Sequence, residues 1–245
     1  MDLEARIRQY TAHFAGQISE IDSLTCADLS RARIYKKILF ASMIDTLSQS
    51  VLPEKVRNRC RFVGFVDRFG AWELANRISL VQLKLSLENN AAAGSPLHAF
   101  AAQKIDSWGE GGPIRADADP SLADLERAGF DVCNLVVKNA RFVPLLYTYR
   151  NHLVHEFREP GYPMECKGDR VPYYMSITQI ETGNVAWELV FPVGMFRTLC
   201  ITCLENLQNY LIKEGIDPYG RYQFGTQWKS NYRSSKSDRG TTKAL

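Results

Sequence analysis

This sequence has no long apolar run, and we expect neither a secretory leader nor a nucleotide-binding glycine loop in it. No stretch reaches the roughly 18 uninterrupted apolar residues that a membrane-spanning helix needs, and residues 1–6 lack the basic and then apolar layout of a secretory signal. The glycines between Gly109 and Gly112 lack the Lys-Ser/Thr pair that makes a phosphate-binding loop. We therefore expect a cytoplasmic protein without membrane association and without a bound cofactor.

Histidine is also scarce, and this limits metal chemistry. The chain has four histidines, and His152-x-x-His155 supplies only two of the three or four ligands that a zinc site requires. A zinc site through this pair would need partners that the sequence does not place, so we predict no metal site. No serine or cysteine lies in a recognisable strand-to-helix elbow. The six cysteines are scattered, which is typical of reduced, mostly buried thiols.

Charge is distributed unevenly along the chain. The net charge is +3, but residues 221–245 contain six Lys/Arg and one acid, so residues 1–220 are slightly acidic. This tail is rich in Ser, Gly, Thr and Asn, and we expect it to be disordered. A solvated terminus is the simpler interpretation. The alternative is a loose arm in which Trp228, Tyr222 and Tyr232 stack on bases while the cations contact phosphates.

Apolar residues at spacings of three and four predict a mainly helical, all-α chain. Helices are expected from Leu3 to about Ile21, from Asp28 or Ser30 to Leu52, from Val56 to Phe69, and through 72–87. Within the last of these, residues 79–83 fit either a helix or a strand. A loop-rich excursion follows at about 88–120, with one short helix between Leu97 and Trp108. Helical pattern resumes at Ser121 and continues across Pro144, where we expect a new helix start or a kink.

The period of the pattern changes after residue 159. Residues 172–192 alternate between apolar and polar side chains around Glu181-Thr182-Gly183-Asn184, which predicts an inserted β-hairpin. A final helix is expected from about Gly194 to Glu214, closed by Gly215. Cys200 and Cys203 lie on the apolar stripe of that helix, so we interpret them as core residues rather than a redox pair.

The densest polar chemistry lies between Tyr147 and Arg158. This stretch holds two arginines, an amide, two imidazoles, two tyrosines and a carboxylate within about three helical turns. Asn151 and His155 are four residues apart and share a face, with Arg150 on its flank. One hypothesis is structural, in which Arg150 and His155 pair with Glu156, Glu159 or another helix. The other is catalytic, because a permanent cation beside a group that titrates near neutrality suits phosphodiester chemistry.

The six residues Arg150-Asn151-His152-Leu153-Val154-His155 resemble the Arg-x4-His motif of the HEPN superfamily, including its frequent polar residue after the arginine. A helical context and one long helix after the motif are similar too. The resemblance implies that residues 1–220 form a single HEPN-like helical domain, which forms a homodimer with its motifs facing each other. Active members are metal-independent endoribonucleases, often toxins or antiphage-defence effectors.

The resemblance also assigns roles to individual residues. His155 would be the general base or acid, Arg150 would stabilise charge on phosphorus, and Asn151 would orient His155 or hold phosphate. Attack by the ribose 2′-hydroxyl would leave a 2′,3′-cyclic phosphate. We expect His152, Tyr149 and Arg158 to contribute to RNA binding, with a surface role as the alternative for His152.

One departure from the family pattern concerns regulation. Toxins of this superfamily that pair with a nucleotidyltransferase antitoxin often have a tyrosine two residues after the histidine, whereas this chain has Phe157. Neutralisation by that route is not expected, although another antitoxin or defence partner remains open. The superfamily also includes members that only bind RNA or protein, so a non-catalytic HEPN-like module is the alternative function.

Overall fold

The computed structural model describes residues 2–52, 56–109, 113–161, 164–165, 168–178 and 185–220. Within these residues the chain is mostly helical with a small antiparallel sheet. The helices are α1 Leu3–Ser23, α2 Leu29–Val51, α3 Asn58–Phe69, α4 Leu80–Asn89, α5 Pro96–Asp106, α6 Leu122–Arg127, α7 Leu135–Asn139, α8 Phe142–Glu156 and α9 Val193–Glu214. The strands are β1 Ile114–Arg115, β2 Tyr173–Thr178 and β3 Val185–Val190. The basic tail lies outside the described residues.

The helices begin where side chains can satisfy their free amides. The Asp2 carboxylate accepts from Ala5 N at 2.7 Å and starts α1, and Asp28, rather than Ser30, caps α2 by accepting from Ser30 N at 2.8 Å. Most of the apolar stripe of α1 is buried, from Ile7 to Ile21, and α2 buries Phe40, Met43, Ile44 and Leu47. The predicted α1, α2, α3, α5 and α9 are therefore confirmed, with bounds shifted by only a few residues.

The prediction of helix throughout residues 72–87 is wrong, because α4 begins only at Leu80. The backbone before it pairs with distant segments instead of with itself. Ile78 N donates to Pro120 O at 2.9 Å, and Ser79 N donates to Ala140 O at 2.9 Å. Ile78 is fully buried. Long-range pairing and burial thus override the local helical pattern.

The segment between Ser121 and the motif, predicted as helical, is interrupted more often than expected. It contains two short helices, α6 and α7, and Gly129 between them has a φ of 84°. The expected new start near Pro144 is confirmed, because α8 begins at Phe142 and Pro144 occupies its first turn. The motif therefore lies in the later turns of α8, on a regular helix.

The β-hairpin is confirmed and gains a third strand that the sequence did not predict. β2 pairs antiparallel with β3, with Ser176 opposite Trp187, while β1 pairs with the other edge of β2 through Ile114 and Tyr174. The excursion at 88–120 is therefore more ordered than expected, since its described part contains β1 in addition to the predicted α5. The described residues contain no helix with the length and apolar character needed to span a membrane.

Two apolar clusters form the interior. The larger one includes the buried faces of α1, α2, α3, α8 and α9, and the smaller one joins Ile78, Leu83 and Leu87 to α6 and α7. Cys200 and Cys203 lie in the larger cluster, as predicted, and burial raises the pKa of the Cys203 thiol to about 12. Helix α8 packs against α2 and α3. This packing fixes which edge of α8 faces outward.

A buried carboxyl ties the sheet to the start of α4. Asp119 is 1% exposed, accepts from Leu80 N at 3.1 Å and contacts the Tyr174 hydroxyl, which also lies 2.8 Å from Ser79 Oγ. Burial raises the pKa of Asp119 to about 7, although the hydrogen bonds from Tyr174 and Leu80 act against this rise. The folded protein therefore holds a proton that the unfolded chain releases at about pH 4.

We expect Asp119 to make the wild-type protein less stable as the pH rises from about 4 to about 7. Over that range Asp119 is ionised in the unfolded chain but still protonated in the folded protein, so the free energy of unfolding falls by about 1.4 kcal/mol per pH unit. The substitution Asp119→Asn removes this titration, so the free energy of unfolding of the variant should rise relative to wild type across the range and level off above it. Urea denaturation at several pH values measures the difference. If the difference in unfolding free energy between the two proteins did not depend on pH, Asp119 would not be a buried carboxyl with a raised pKa.

Candidate active site

The inner face of α8 anchors the motif on the core. Leu146, Tyr149 and Leu153 are buried, whereas Asn151 is half-buried and His155 is exposed. The side chains recur at helical spacing, so one face enters the larger apolar cluster while the adjoining edge remains open. The left-handed conformation of Phe157, with a φ of 56°, ends the helix two residues after His155. The three motif residues thus lie on a regular helical support.

Arg150 connects the other two motif residues. Its Nη1 donates to Asn151 Oδ1 at 3.0 Å and approaches His155 Nε2 at 3.4 Å. A guanidinium can only donate, so Nε2 is the acceptor in that contact and the proton of a neutral His155 resides on Nδ1. The structure therefore brings together the three residues predicted as catalytic. Nε2 is the atom available to accept a proton.

The fourth member of this cluster is Asp45 of α2, which was not predicted. Its carboxylate forms an ion pair with Arg150 Nη2, and the two side chains are 13% and 17% exposed. Desolvation raises the pKa of Asp45, while the positive charges of Arg150, Arg61 and a protonated His155 oppose the rise. Because α2 and α8 pack side by side, this pair holds the guanidinium at a fixed depth.

Arg61 of α3 adds a second guanidinium near the same carboxylate. Its Nη2 donates to Asn58 Oδ1 at 3.0 Å, and its charge lowers the pKa of Asp45 in the same direction as Arg150 does. Two arginines around one acid leave the cluster with a surplus positive charge. An incoming anion such as a phosphate diester would be attracted to it.

A signal for Asp45 exists in the sequence, though it is weak. Asp45 lies beside Ile44 and close to Leu47 on a helix whose other buried positions are mostly apolar. An acid in such a position is costly unless it has a partner, so it indicates a cation on a neighbouring helix. The sequence alone does not identify which cation that is. Arg61 carries no comparable signal, because it is one of several arginines around the start of α3.

The three residues predicted to assist RNA binding have different environments. His152 Nδ1 lies 2.8 Å from Glu156 Oε1, and Arg158 Nη2 forms an ion pair with Glu156 Oε2 at 2.5 Å. Both side chains are partly accessible and flank the cluster. Glu156 therefore pairs with these two residues and not with Arg150 or His155. The structural hypothesis is met in its other form, because Arg150 pairs with Asp45 on another helix.

Tyr149 is placed differently, and we no longer assign it to RNA binding. It is 3% exposed and its hydroxyl accepts from Lys37 Nζ at 3.4 Å in the interior. Lys37 is itself fully buried and forms ion pairs with Glu159 at 2.5 Å and Glu165 at 2.7 Å. Desolvation raises the pKa of Tyr149, and the two carboxylates raise it further. Tyr149 therefore belongs to a buried network that attaches the chain after α8 to α2.

Metal ligands do not converge in the part of the chain that the structure describes. No three His, Cys, Asp or Glu side chains there lie close enough together to hold an ion. His152, one of the two histidines of the zinc hypothesis, is oriented toward Glu156. The site consists instead of a fixed cation, an amide and an accessible imidazole. Such groups bind anions and move protons.

Comparisons of the chain with protein-family models, with curated proteins and with solved structures returned no match. The similarity to HEPN proteins therefore rests on the six motif residues and on the helical context around them.

A double-mutant cycle tests the pairing of Asp45 with Arg150. We expect Asp45→Ala to lower the free energy of unfolding by about 3 kcal/mol, because it leaves a largely buried guanidinium without its counter-ion. With Arg150→Ala and the double variant, the coupling energy should be about 1 to 3 kcal/mol. Arg158→Ala is the matched control. Because its ion pair with Glu156 is exposed, Arg158→Ala should lower the free energy of unfolding by less than about 1 kcal/mol. Additive effects of the two main substitutions would show that the pair does not form.

Proposed function

We propose that this protein is a HEPN-like, metal-independent endoribonuclease. The observation that carries the proposal is the position of the Arg150 guanidinium, which contacts Asn151 and His155 on an open edge of α8 while Asp45 holds it from behind. Phosphoryl transfer to a 2′-hydroxyl requires a fixed cation beside an accessible imidazole. The cation stabilises charge on phosphorus, and the imidazole moves a proton.

The contacts suggest an order of events. In the free protein Arg150 Nη1 faces His155 Nε2. A phosphate oxygen is a stronger acceptor than an imidazole, so substrate would draw Nη1 to itself and release Nε2. Nε2 would then accept the proton of the 2′-hydroxyl, while the 2′-oxygen bonds to phosphorus and the bond to the 5′-oxygen breaks. The products would carry a 2′,3′-cyclic phosphate and a 5′-hydroxyl.

The departing 5′-oxygen needs a proton, and one chain offers one His155 at the site. A two-fold homodimer that faces two α8 edges would supply a second His155 as the acid. Asn151 would hold phosphate or orient the imidazole, consistent with its contact to Arg150. This composite arrangement is part of the proposal. A strictly monomeric state in light scattering at micromolar concentration would contradict it.

The biological setting follows from the resemblance rather than from the geometry. We propose a toxin or antiphage-defence effector, acting on RNA in the cytoplasm and controlled by an antitoxin or a defence partner. Phe157 is 67% exposed, but it has no hydroxyl that a nucleotidyltransferase could modify. Control would therefore take another form.

A non-catalytic HEPN-like module that binds RNA or protein is the second candidate. The ion pair with Asp45 favours this non-catalytic function, because an arginine that a carboxylate already neutralises stabilises the negative charge of a transition state less strongly. The additional positive charge of Arg61 favours the endoribonuclease. Cleavage measurements separate the two candidates.

We expect the purified protein to cleave single-stranded RNA in EDTA. His155→Ala should reduce the rate by about 10² to 10⁴ through loss of proton transfer, and Arg150→Ala by about 10² to 10³ through loss of charge stabilisation. His13→Ala, which removes an exposed imidazole on α1, is the matched control and should retain the wild-type rate. Gel analysis of end-labelled RNA gives the rates, and thermal melts show that each variant is folded. Equal cleavage by wild type and a folded His155→Ala variant would overturn the catalytic role.

A further inference from the structure

A second basic feature lies at the other end of α8. A groove of about 410 Å³ opens between α3, α7 and the first turn of α8. It is lined by three cations, an amide, a thiol and three apolar side chains, namely Arg59, Lys138, Arg141, Asn139, Cys60, Val63, Leu122 and Pro144. None of these eight described lining residues is an acid.

The cations of the groove differ in how firmly they are held. Arg141 contacts Asn76 Oδ1 at 3.0 Å and Asp67 Oδ2 at 2.8 Å, and Arg59 Nη2 donates to Asn139 Oδ1 at 2.7 Å. Lys138 is exposed and has no ion-pair partner within the described residues. Asp67 is thus the one carboxylate among these contacts, so the groove keeps a surplus of about two positive charges. Such a surface favours a polyanion.

Helical geometry aligns this groove with the candidate active site. Asn151 and His155 follow Pro144 by seven and eleven residues, so at about 100° per residue both lie within about 20° of it around α8. His155 is about 16 Å further along the axis. Thr148, between them on the same face, is exposed. One side of α8 therefore runs from the floor of the groove to the imidazole.

We propose that this groove binds the sugar-phosphate backbone of the RNA strand whose scissile phosphate lies at Arg150 and His155. The inference rests on the proposed function, and it adds the site for the flanking nucleotides. Arg59, Lys138 and Arg141 contact phosphates, while the half-buried Val63 and Leu122 pack against ribose above the buried Pro144. The eight described lining residues include no aromatic side chain on which bases could stack, so binding here depends on the backbone and not on sequence.

Binding of a non-cleavable RNA tests the groove separately from catalysis. The probe is a fluorescein-labelled, fully 2′-O-methylated single strand, and anisotropy gives its Kd. We expect the Arg59→Gln/Lys138→Gln variant to weaken binding by about tenfold or more, and to reduce the slope of log K against log salt by about 0.7 for each phosphate that the variant no longer binds. Lys213→Gln is the matched control, since Lys213, like Lys138, is a basic residue in the last turn of its helix.

The native cysteines provide an independent readout. Cys60 lines the groove and is exposed, whereas Cys133 is exposed outside it. RNA bound in the groove should slow alkylation of Cys60 by iodoacetamide and leave Cys133 unaffected, as measured by peptide mass spectrometry. This measurement uses the wild-type chain, so it does not depend on a variant remaining folded.

The two proposals fail in different ways. If the probe binds through the groove and protects Cys60 but wild type cleaves no RNA, the binding site stands and the nuclease proposal fails. If wild type cleaves RNA while Arg59→Gln/Lys138→Gln leaves Kd, KM and Cys60 reactivity unchanged, the groove proposal is overturned. Equal weakening by Lys213→Gln would also overturn it, because binding would then follow net charge alone.

Discussion

The ion pair between Asp45 and Arg150 is the constraint on which the candidate site depends. An arginine side chain has many rotamers, and holding its guanidinium at one position costs conformational entropy. Asp45 offsets that cost from a neighbouring helix, and the buried face of α8 fixes the height of Arg150 relative to α2. The remaining Nη1 then reaches Asn151 and His155 without further adjustment. Core packing thus determines the geometry of a polar cluster at the surface.

Much of the fold could be predicted because its strongest signals are local. Stripes such as Ile7, Tyr10 and Phe14 report a helix directly, and Asp28 marks a start through its own amide contacts. The predictions of secondary structure were wrong or incomplete where distant backbone segments pair. Ile78 lies in a helix-like pattern, yet its amide bonds to Pro120, and β1 becomes a strand only because β2 lies beside it. Such pairing has no periodicity that a sequence can display.

The candidate site shows the same division. Arg150, Asn151 and His155 are neighbours on one helix, so their proximity follows from helical spacing. Asp45 and Arg61 come from α2 and α3, and only tertiary packing brings them near. Tyr149 was expected to contribute to RNA binding. Its position on the inner face of α8 instead places its hydroxyl beside Lys37, where the buried network satisfies it. Spacing predicts which residues share a helix face, but not which partners that face meets.

The chemistry at His155 and Arg150 is tested most directly by the ends of the cleaved strand. A DNA oligonucleotide containing a single ribonucleotide offers one 2′-hydroxyl, and mass spectrometry identifies both products. Transfer to that hydroxyl predicts one cut, directly after the ribonucleotide, with a 2′,3′-cyclic phosphate on one fragment and a 5′-hydroxyl on the other. Fragments ending in a 3′-hydroxyl and a 5′-phosphate, or cuts at deoxyribonucleotides, would contradict a 2′-hydroxyl mechanism and with it the nuclease activity proposed for this site.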